Sequence, residues 1–327
     1  MAQPPLNHSP TADITSTPPV PPPNGAPPEA PGNDEEPAKS EGYGASAIQV
    51  LEGLEAVRKR PGMYIGNVVD GTALHHLIWE VIDNSVDEHL AGRCKTIEVA
   101  LLSNGSVMVN DDGRGIPVGM HERGVSAAEV VMTKLHAGGK FNNNTYAISA
   151  GTHGVGVSAV NAVSDVLILE IRREGKLWRQ EYRKGAPVEP LTAVRPLTEG
   201  EGTGTRVTFH PDPEIFPTNE ENVFHNDTIV SRLREHAFLN PGLRINFTDE
   251  RTERAESFEY TGGIVDYVAL INQGKSPVHP EVIRISGVQD GVQVDLALQW
   301  NDTYNEIAFC YTNNVRNKDG GTHLTGL

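Results

Sequence analysis

The sequence predicts an α+β fold. Two observations carry this: long stretches with helical apolar spacing, and adjacent pairs of short alternating segments joined by tight turns. A third excludes the main alternative, because strict strand–helix alternation, the mark of a doubly wound parallel sheet, is missing.

Residues 1–44 stand apart. Twelve of the 23 prolines lie between Pro4 and Pro37, acids such as Asp34, Glu35 and Glu36 follow, and large apolar residues are nearly absent. Such a segment cannot bury enough surface to offset its ordering entropy, so it reads as a disordered, partly polyproline tail. Helical periodicity starts at Ile48, Leu51, Leu54 and Val57, and Lys59-Arg60-Pro61-Gly62 ends it. A longer helix is expected from Ala73 to Leu90, with Leu74, Leu77, Ile78, Val81, Ile82 and Val86 as its stripe. Strands follow at Ile97–Leu102 and Ser106–Asn110, with Asn104-Gly105 as the hairpin turn. A helix is expected over Ser126–His136, and a Gly/Asn-rich stretch, Ala137 to Gly156, leads into another over Val157–Val163.

Beyond these, strands are expected at Val166–Arg172, Leu177–Arg183 and Thr205–His210, a helix at Thr228–Leu239 and a strand at Leu243–Phe247. The polar stretch Asp249–Ser257 marks a domain boundary. A helix at Ile264–Ile271 and strands at Val282–Ser286, Val292–Gln299 and Glu306–Tyr311 complete the pattern. The chain then stops at Leu327 after a loop, which reads as the end of a truncated product. At 327 residues it is long enough for two domains.

Composition narrows the function. A net charge of −16 argues against a general nucleic-acid surface, which is normally basic. Two cysteines, Cys94 and Cys310, cannot build a cysteine zinc site or a disulfide framework, and read as buried thiols. No run reaches the ~18 apolar residues of a spanning helix, and no signal-peptide pattern opens the chain, so a cytoplasmic protein with no membrane partner is expected. No histidine pair shows metal spacing, and no nucleophile signature appears.

Four segments could carry chemistry. In Trp79 to Glu88, the residues Glu80, Asn84 and Asp87 or Glu88 share one helix face. This is either a solvated acidic face, or an oxygen-donor Asn for a hard cation with a carboxylate one turn earlier to polarise water. Asp111-Asp112-Gly113-Arg114-Gly115-Ile116-Pro117 follows a strand directly. It is either a plain turn or a strand-end carboxylate that accepts from an exocyclic amine, with glycines leaving room for a flat ligand. The Gly-rich stretch holds Gly138-Gly139-Lys140 and Gly151-Thr152-His153-Gly154-Val155-Gly156 before a helix. This fits phosphate binding at a helix start or a flexible surface loop, and its length of about 20 residues suggests a lid. Neither the Walker A spacing nor the dinucleotide fingerprint is present. Last, Gly202-Thr203-Gly204-Thr205 precedes a strand, where a Thr hydroxyl could join a hydrogen-bond network.

The order of these motifs resembles the Bergerat ATP-binding family, which includes gyrase-type topoisomerases, heat-shock-90 chaperones, MutL repair proteins and sensor histidine kinases. Within it, the strings from Gly53 to Gly66, Asp111 to Pro117, Leu135 to Phe141, His153 to Ser158 and Gly320 to Leu324 are similar to the gyrase B family over residues 43–327. The related topoisomerase IV protein shares most of them. A histidine kinase is disfavoured, because no phosphoacceptor helix precedes the motifs.

The resemblance implies a two-layer sandwich, with a mixed, mostly antiparallel sheet covered by helices on one face, over residues 45–257. It implies an incomplete β-α-β transducer domain over 258–327. ATP and Mg²⁺ are the implied cofactors. Glu80 is the implied general base, Asn84 the Mg²⁺ ligand, and Asp111 the adenine reader, supported by Thr205. Glu88 and Arg114 pair at the pocket mouth. Lys140 and the amides of Gly154, Val155 and Gly156 hold phosphates. Tyr146, His153, Gly115 and Val157 belong to the same set. Val81, Val109, Ile116, Pro117 and Val207 wall the adenine slot. Tyr43 and Ile48 match an arm that reaches the neighbouring copy in a homodimer, where Tyr43 meets the neighbour's nucleotide. Arg173 matches a position that binds aminocoumarin antibiotics.

In that family gyrase B works with gyrase A, as an A2B2 enzyme, on DNA. Two departures matter. Ala150-Gly151-Thr152-His153 replaces the usual Gly-Gly-Leu-His, and the chain ends before the transducer lysine that meets the γ-phosphate. Weak ATP hydrolysis without strand passage is therefore expected of the chain alone. The competing reading is a non-catalytic nucleotide- or drug-binding fragment.

Overall fold

The computed structural model describes residues 53–135, 137 and 156–327. The Pro-rich segment, the start of the first expected helix and almost all of the Gly-rich stretch lie outside them. No described helix is long and apolar enough to cross a membrane.

Two short helices, α1 (Gly53–Lys59) and α2 (Gly62–Ile65), precede α3 (Thr72–Leu90). The expected stripe of α3 is buried throughout, from Leu74 to Val86. Strands β1 (Thr96–Leu101) and β2 (Val107–Asp111) form the expected hairpin, with Val99 opposite Val109. Gly105 turns it at φ +84°. Helix α4 (Ala127–Thr133) starts at Ser126, whose hydroxyl accepts from the Glu129 N–H at 3.0 Å. After α5 (Gly156–Ala162) come β3 (Ser164–Arg173), β4 (Lys176–Arg183), the short β5 (Ala186–Pro187) and β6 (Thr192–Pro196), and β7 (Gly204–Pro211). Helix α6 (Asn226–Leu239), β8 (Arg244–Asp249) and β9 (Arg254–Phe258) follow. The polar stretch 249–257 thus holds a turn and most of an edge strand, which needs only Phe258 buried.

Nine strands form one sheet in the order β5-β4-β3-β7-β2-β1-β8-β9, with β6 also paired to β4. The β1–β8 pair is parallel and its neighbours are antiparallel. Period-two alternation sends one row of side chains to the core. Leu169, Val207, Val109, Val99 and Phe247 stand opposite one another across five strands, all buried. Helices α3, α5 and α6 pack on the sheet. The reverse face is polar, with Glu170, Arg206, Asn110 and Glu98 in one row.

Beyond β9 lie α7 (Ile264–Ile271), the antiparallel pair β10 (Ile283–Gln289) and β11 (Val292–Leu298), β12 (Tyr311–Thr312), β13 (Val315–Arg316) and α8 (Thr322–Gly326). The strand expected over Glu306–Tyr311 is reduced to its last residue. Asn313 and Asn314, at φ +49° and +66°, turn the chain there, so Tyr311 and Thr312 pair with the residues that follow. An aromatic stack ties this region to α6. The Phe238 ring lies 3.7 Å from Tyr260 and 4.7 Å from Tyr267, Tyr267 lies 5.6 Å from Phe309, and the Arg316 guanidinium sits 4.4 Å above Phe309. Cys94 is buried as expected, whereas Cys310 is half-buried.

Candidate functional site

The core-facing row at the end of β2 contains a carboxylate. Ile171 stands opposite Thr205, and Asp111 opposite Ile97, which in turn pairs with Ile245. Asp111 is only 6% exposed. Burial pushes its carboxyl above the usual range, and the nearby Glu88 carboxylate adds to the rise. Three donors oppose that shift. Oδ1 accepts from the Gly113 N–H at 2.9 Å and the Thr205 N–H at 3.1 Å, and Oδ2 accepts from the Ser85 hydroxyl at 3.0 Å.

The loop after Asp111 is held from several sides. Arg114 donates from Nε and Nη2 to the two Glu88 oxygens, at 2.9 and 2.8 Å. Its backbone N–H also donates to Glu88, at 3.1 Å. Bidentate pairing of this kind fixes direction as well as distance. Gly115 adopts φ +76°, and a Cβ there would stand 3.0 Å from Ile171 and 3.1 Å from the Gly204 carbonyl. The Ile116 N–H donates to Thr205 Oγ1 at 3.3 Å, and the next residue, Pro117, is exposed. Arg173 donates to the Gly115 carbonyl at 2.6 Å.

Helix α3 supplies the other wall. Glu80, Asn84 and Glu88 lie on successive turns of one face, as their spacing predicts. Glu80 Oε1 lies 3.0 Å from His76 Nε2, and this contact raises the His76 pKa against the opposing effect of burial. A side chain on Gly156 would run into the Glu80 carboxylate, so the glycine that opens α5 permits their close approach. Val157 follows it in α5. The Asn84 Nδ2 donates to the Glu80 carbonyl at 2.9 Å. Its amide nitrogen is committed to the helix, so its oxygen is the atom suited to a hard cation.

The structure therefore gathers Glu80, Asn84, Glu88, Asp111, Gly115, Ile116, Pro117, Gly156, Arg173 and Thr205 around the end of β2 and one face of α3. Tyr43, Lys140, Tyr146, His153, Gly154 and Val155 lie outside the described residues. Three contributors were not foreseen: Ser85 and His76 on α3, and Arg172 on β3. A serine in the α3 stripe was the one local sign for Ser85.

Residues 69–215 match the family described as "Histidine kinase-, DNA gyrase B-, and HSP90-like ATPase", and residues 263–327 match "DNA gyrase B". The DNA gyrase B protein of Rickettsia felis is 52% identical over 297 residues, and that of Haloferax volcanii 51% over 287. These alignments cover 90% and 87% of this chain, but only 36% and 44% of the relatives. The crystal structure of the 43K ATPase domain of Thermus thermophilus gyrase B, in complex with an aminocoumarin, superposes with a TM-score of 0.73. It is 40% identical, with 83% of this chain and 69% of that one covered. The chain belongs to the gyrase B family.

Its sheet and α3 form the family's ATPase fold, in agreement with the expected two-layer sandwich. The chain spans less than half the length of the curated gyrase B relatives it matches. Among the described residues, no group of three or more His, Cys, Asp or Glu side chains could hold a metal ion.

Proposed function

We propose that this chain binds ATP with Mg²⁺ and hydrolyses it, as the nucleotide-driven part of a gyrase-type, type II topoisomerase. Asp111 carries the reading. A carboxylate offers about four lone-pair sites, and three accept from Gly113, Thr205 and Ser85. The remaining site takes one more donor. Adenine presents an amino group, whereas guanine presents a carbonyl oxygen at the same ring position and is repelled. Val81, Val109, Ile116, Pro117 and Val207 wall the slot, and the glycines after Asp111 give the flat base room.

Glu80 takes the proton from the water that attacks the γ-phosphate, with His76 orienting its carboxylate. Asn84 holds the Mg²⁺, which supplies charge neutralisation at the phosphates. Lys140 and the amides of Gly154, Val155 and Gly156 bind phosphate oxygens, alongside Tyr146, His153 and Val157. Glu88 and Arg114 close the mouth, and Arg173 offers a contact for aminocoumarin ligands of the kind bound by the Thermus relative. The segment around Tyr43 and Ile48 pairs two copies as a homodimer. Gyrase A and DNA complete a cytoplasmic A2B2 assembly, in which ATP-driven closure gates strand passage and supercoiling.

The domain division is 1–44, 45–257 and 258–327. The 327-residue polypeptide alone hydrolyses ATP slowly. Calorimetry with a non-hydrolysable ATP analogue and Mg²⁺ tests the reading. Binding to the wild-type chain that is lost in Asp111→Asn supports it; a wild-type chain that does not bind overturns it.

A further inference from the structure

We propose that Arg172 is a positioning residue for base recognition, holding Asp111 from the reverse face of the sheet through a gap that Gly204 leaves open. The proposal rests on the reading of Asp111 as the adenine acceptor.

The register of β2 and β7 runs from Val107–Phe209 to Asn110–Arg206. One step further, Thr205 stands opposite Asp111, but its N–H goes to the Asp111 carboxylate. The Asp111 carbonyl is met by Arg172 Nη2 at 2.6 Å. Arg172 belongs to β3, and β7 lies between β3 and β2. The guanidinium must therefore cross β7. It does so at Gly204, its own register partner. A Cβ on Gly204 would overlap both the Asp111 carbonyl and the Arg172 guanidinium. The first glycine before Thr205 is thus required for the crossing.

The other end of the fork fixes the preceding residue. Arg172 Nη1 donates to Asn110 Oδ1 at 2.8 Å, and Asn110 Nδ2 donates to Glu98 Oε2 at 2.7 Å. A planar guanidinium holds both partners in one geometry, which a lysine cannot do. The next residue works from the opposite face, since side chains alternate along a strand. Arg173 takes the Gly115 carbonyl at 2.6 Å. Two consecutive arginines of β3 therefore grip the two flanks of the 111–115 loop from opposite sides of the sheet. Rotation of the Asp111 peptide would swing its carboxylate away from the base, and Arg172 opposes that rotation without touching the ligand.

The test compares dissociation constants for the imidodiphosphate analogues of ATP and GTP, both with Mg²⁺, on the 327-residue chain. The wild type prefers the adenine analogue. In Arg172→Ala this preference falls about tenfold, a loss of about 1.4 kcal/mol in discrimination, with guanine affinity unchanged. Arg172→Lys falls between the two, and Gly204→Ala repeats the loss. A merely structural role weakens both analogues alike, and an unchanged ratio in Arg172→Ala overturns the proposal. Should that variant fail to fold, Asn110→Ala decides, because it removes only the second anchor: a lowered ratio supports the clamp, and an unchanged one overturns it. A wild type without preference, or a preference that survives in Asp111→Asn, overturns the ATP reading and the clamp with it. Where both of those controls behave, the Arg172 result concerns the clamp alone.

Discussion

The Ser85 hydroxyl donates to Asp111 Oδ2 at 3.0 Å, across the interface between α3 and β2. This bond joins the two walls of the site. The residue before Ser85 is the candidate cation ligand Asn84, and the Asp111 carboxylate is the candidate base acceptor. Any shift of α3 along the sheet therefore disturbs both ends of a bound nucleotide together.

Replacing Ser85 tests that link. Ser85→Ala removes one of three donors to a buried carboxylate, and hydrogen bonds to charged groups contribute about 1.5–3 kcal/mol. The Ser85 bond lowers the Asp111 pKa, so its loss raises the pKa further. The neutral acid is a poorer acceptor for an amino group. ATP-analogue affinity is therefore expected to fall about tenfold or more, and to decline at higher pH than in the wild type. Calorimetry between pH 5 and 8 measures both, and a variant with the wild-type pH profile counts against the link.

Asp111→Asn separates stability from function. The folded-state pKa of Asp111 is raised, so its contribution to stability is full below the unfolded pKa and is lost as pH rises through the folded one. At neutral pH the native state carries a buried charge at a cost. Asparagine keeps the shape: its oxygen accepts from Gly113 and Thr205, and its amide nitrogen donates to Ser85 Oγ. The variant is expected to melt higher at pH 7, by about 2–4 °C for each kcal/mol gained, while losing nucleotide binding. The gain should vanish in acid, below the usual carboxylate range. A lower melting temperature at pH 7 contradicts this account.

What was legible in the sequence was local. The α3 stripe, the β1–β2 hairpin and the Asp111–Pro117 loop each announce themselves within a few residues. Asp111 was not singled out by its own loop, which reads equally as a plain turn; the order of the motifs, and the resemblance that order carries, set it apart. Arg172 could not be singled out, because its partner lies 61 residues away and only the strand order β3-β7-β2 brings them together. His76 was read for metal spacing, although its partner was the glutamate one turn on. Strands β6 and β9 were missed because edge strands need little apolar alternation.

His236 carries an acid liability. It is fully buried in α6, and among the described residues neither ring nitrogen has a hydrogen-bond partner. Asp83 Oδ1 stands 4.0 Å from Nε2. Burial, aided by Arg232, lowers its pKa to about 3. A histidine with a lowered folded pKa leaves stability intact above the unfolded value near 6.5 and costs stability as pH falls below it. The slope is about 1.4 kcal/mol per pH unit for one proton. His236→Leu is expected to flatten that slope, gaining about 2 kcal/mol more at pH 5 than at pH 8. Urea midpoints at the two pH values measure it. His75, also buried with a lowered pKa, retains its own share of the slope. Equal midpoint shifts at both pH values would remove His236 as the cause.

Glu80→Gln isolates the chemical step. The amide matches the carboxylate in shape and still fits beside Gly156, but it cannot take a proton. The turnover rate is expected to fall about 10²–10⁴-fold, while analogue binding stays near the wild-type value because Glu80 acts on water rather than on the nucleotide. A structural role for Glu80 would instead weaken binding along with turnover. His76 supplies an independent readout. Its raised pKa comes first from the bond to Glu80, against burial, with Asp83 adding a smaller rise. Without the Glu80 charge, the ring should titrate closer to its ordinary value, visible in its NMR shift against pH. Lost turnover with an unmoved His76 would mean that the histidine does not orient the base. Lost turnover with a lowered His76 pKa ties proton acceptance and orientation to the same carboxylate.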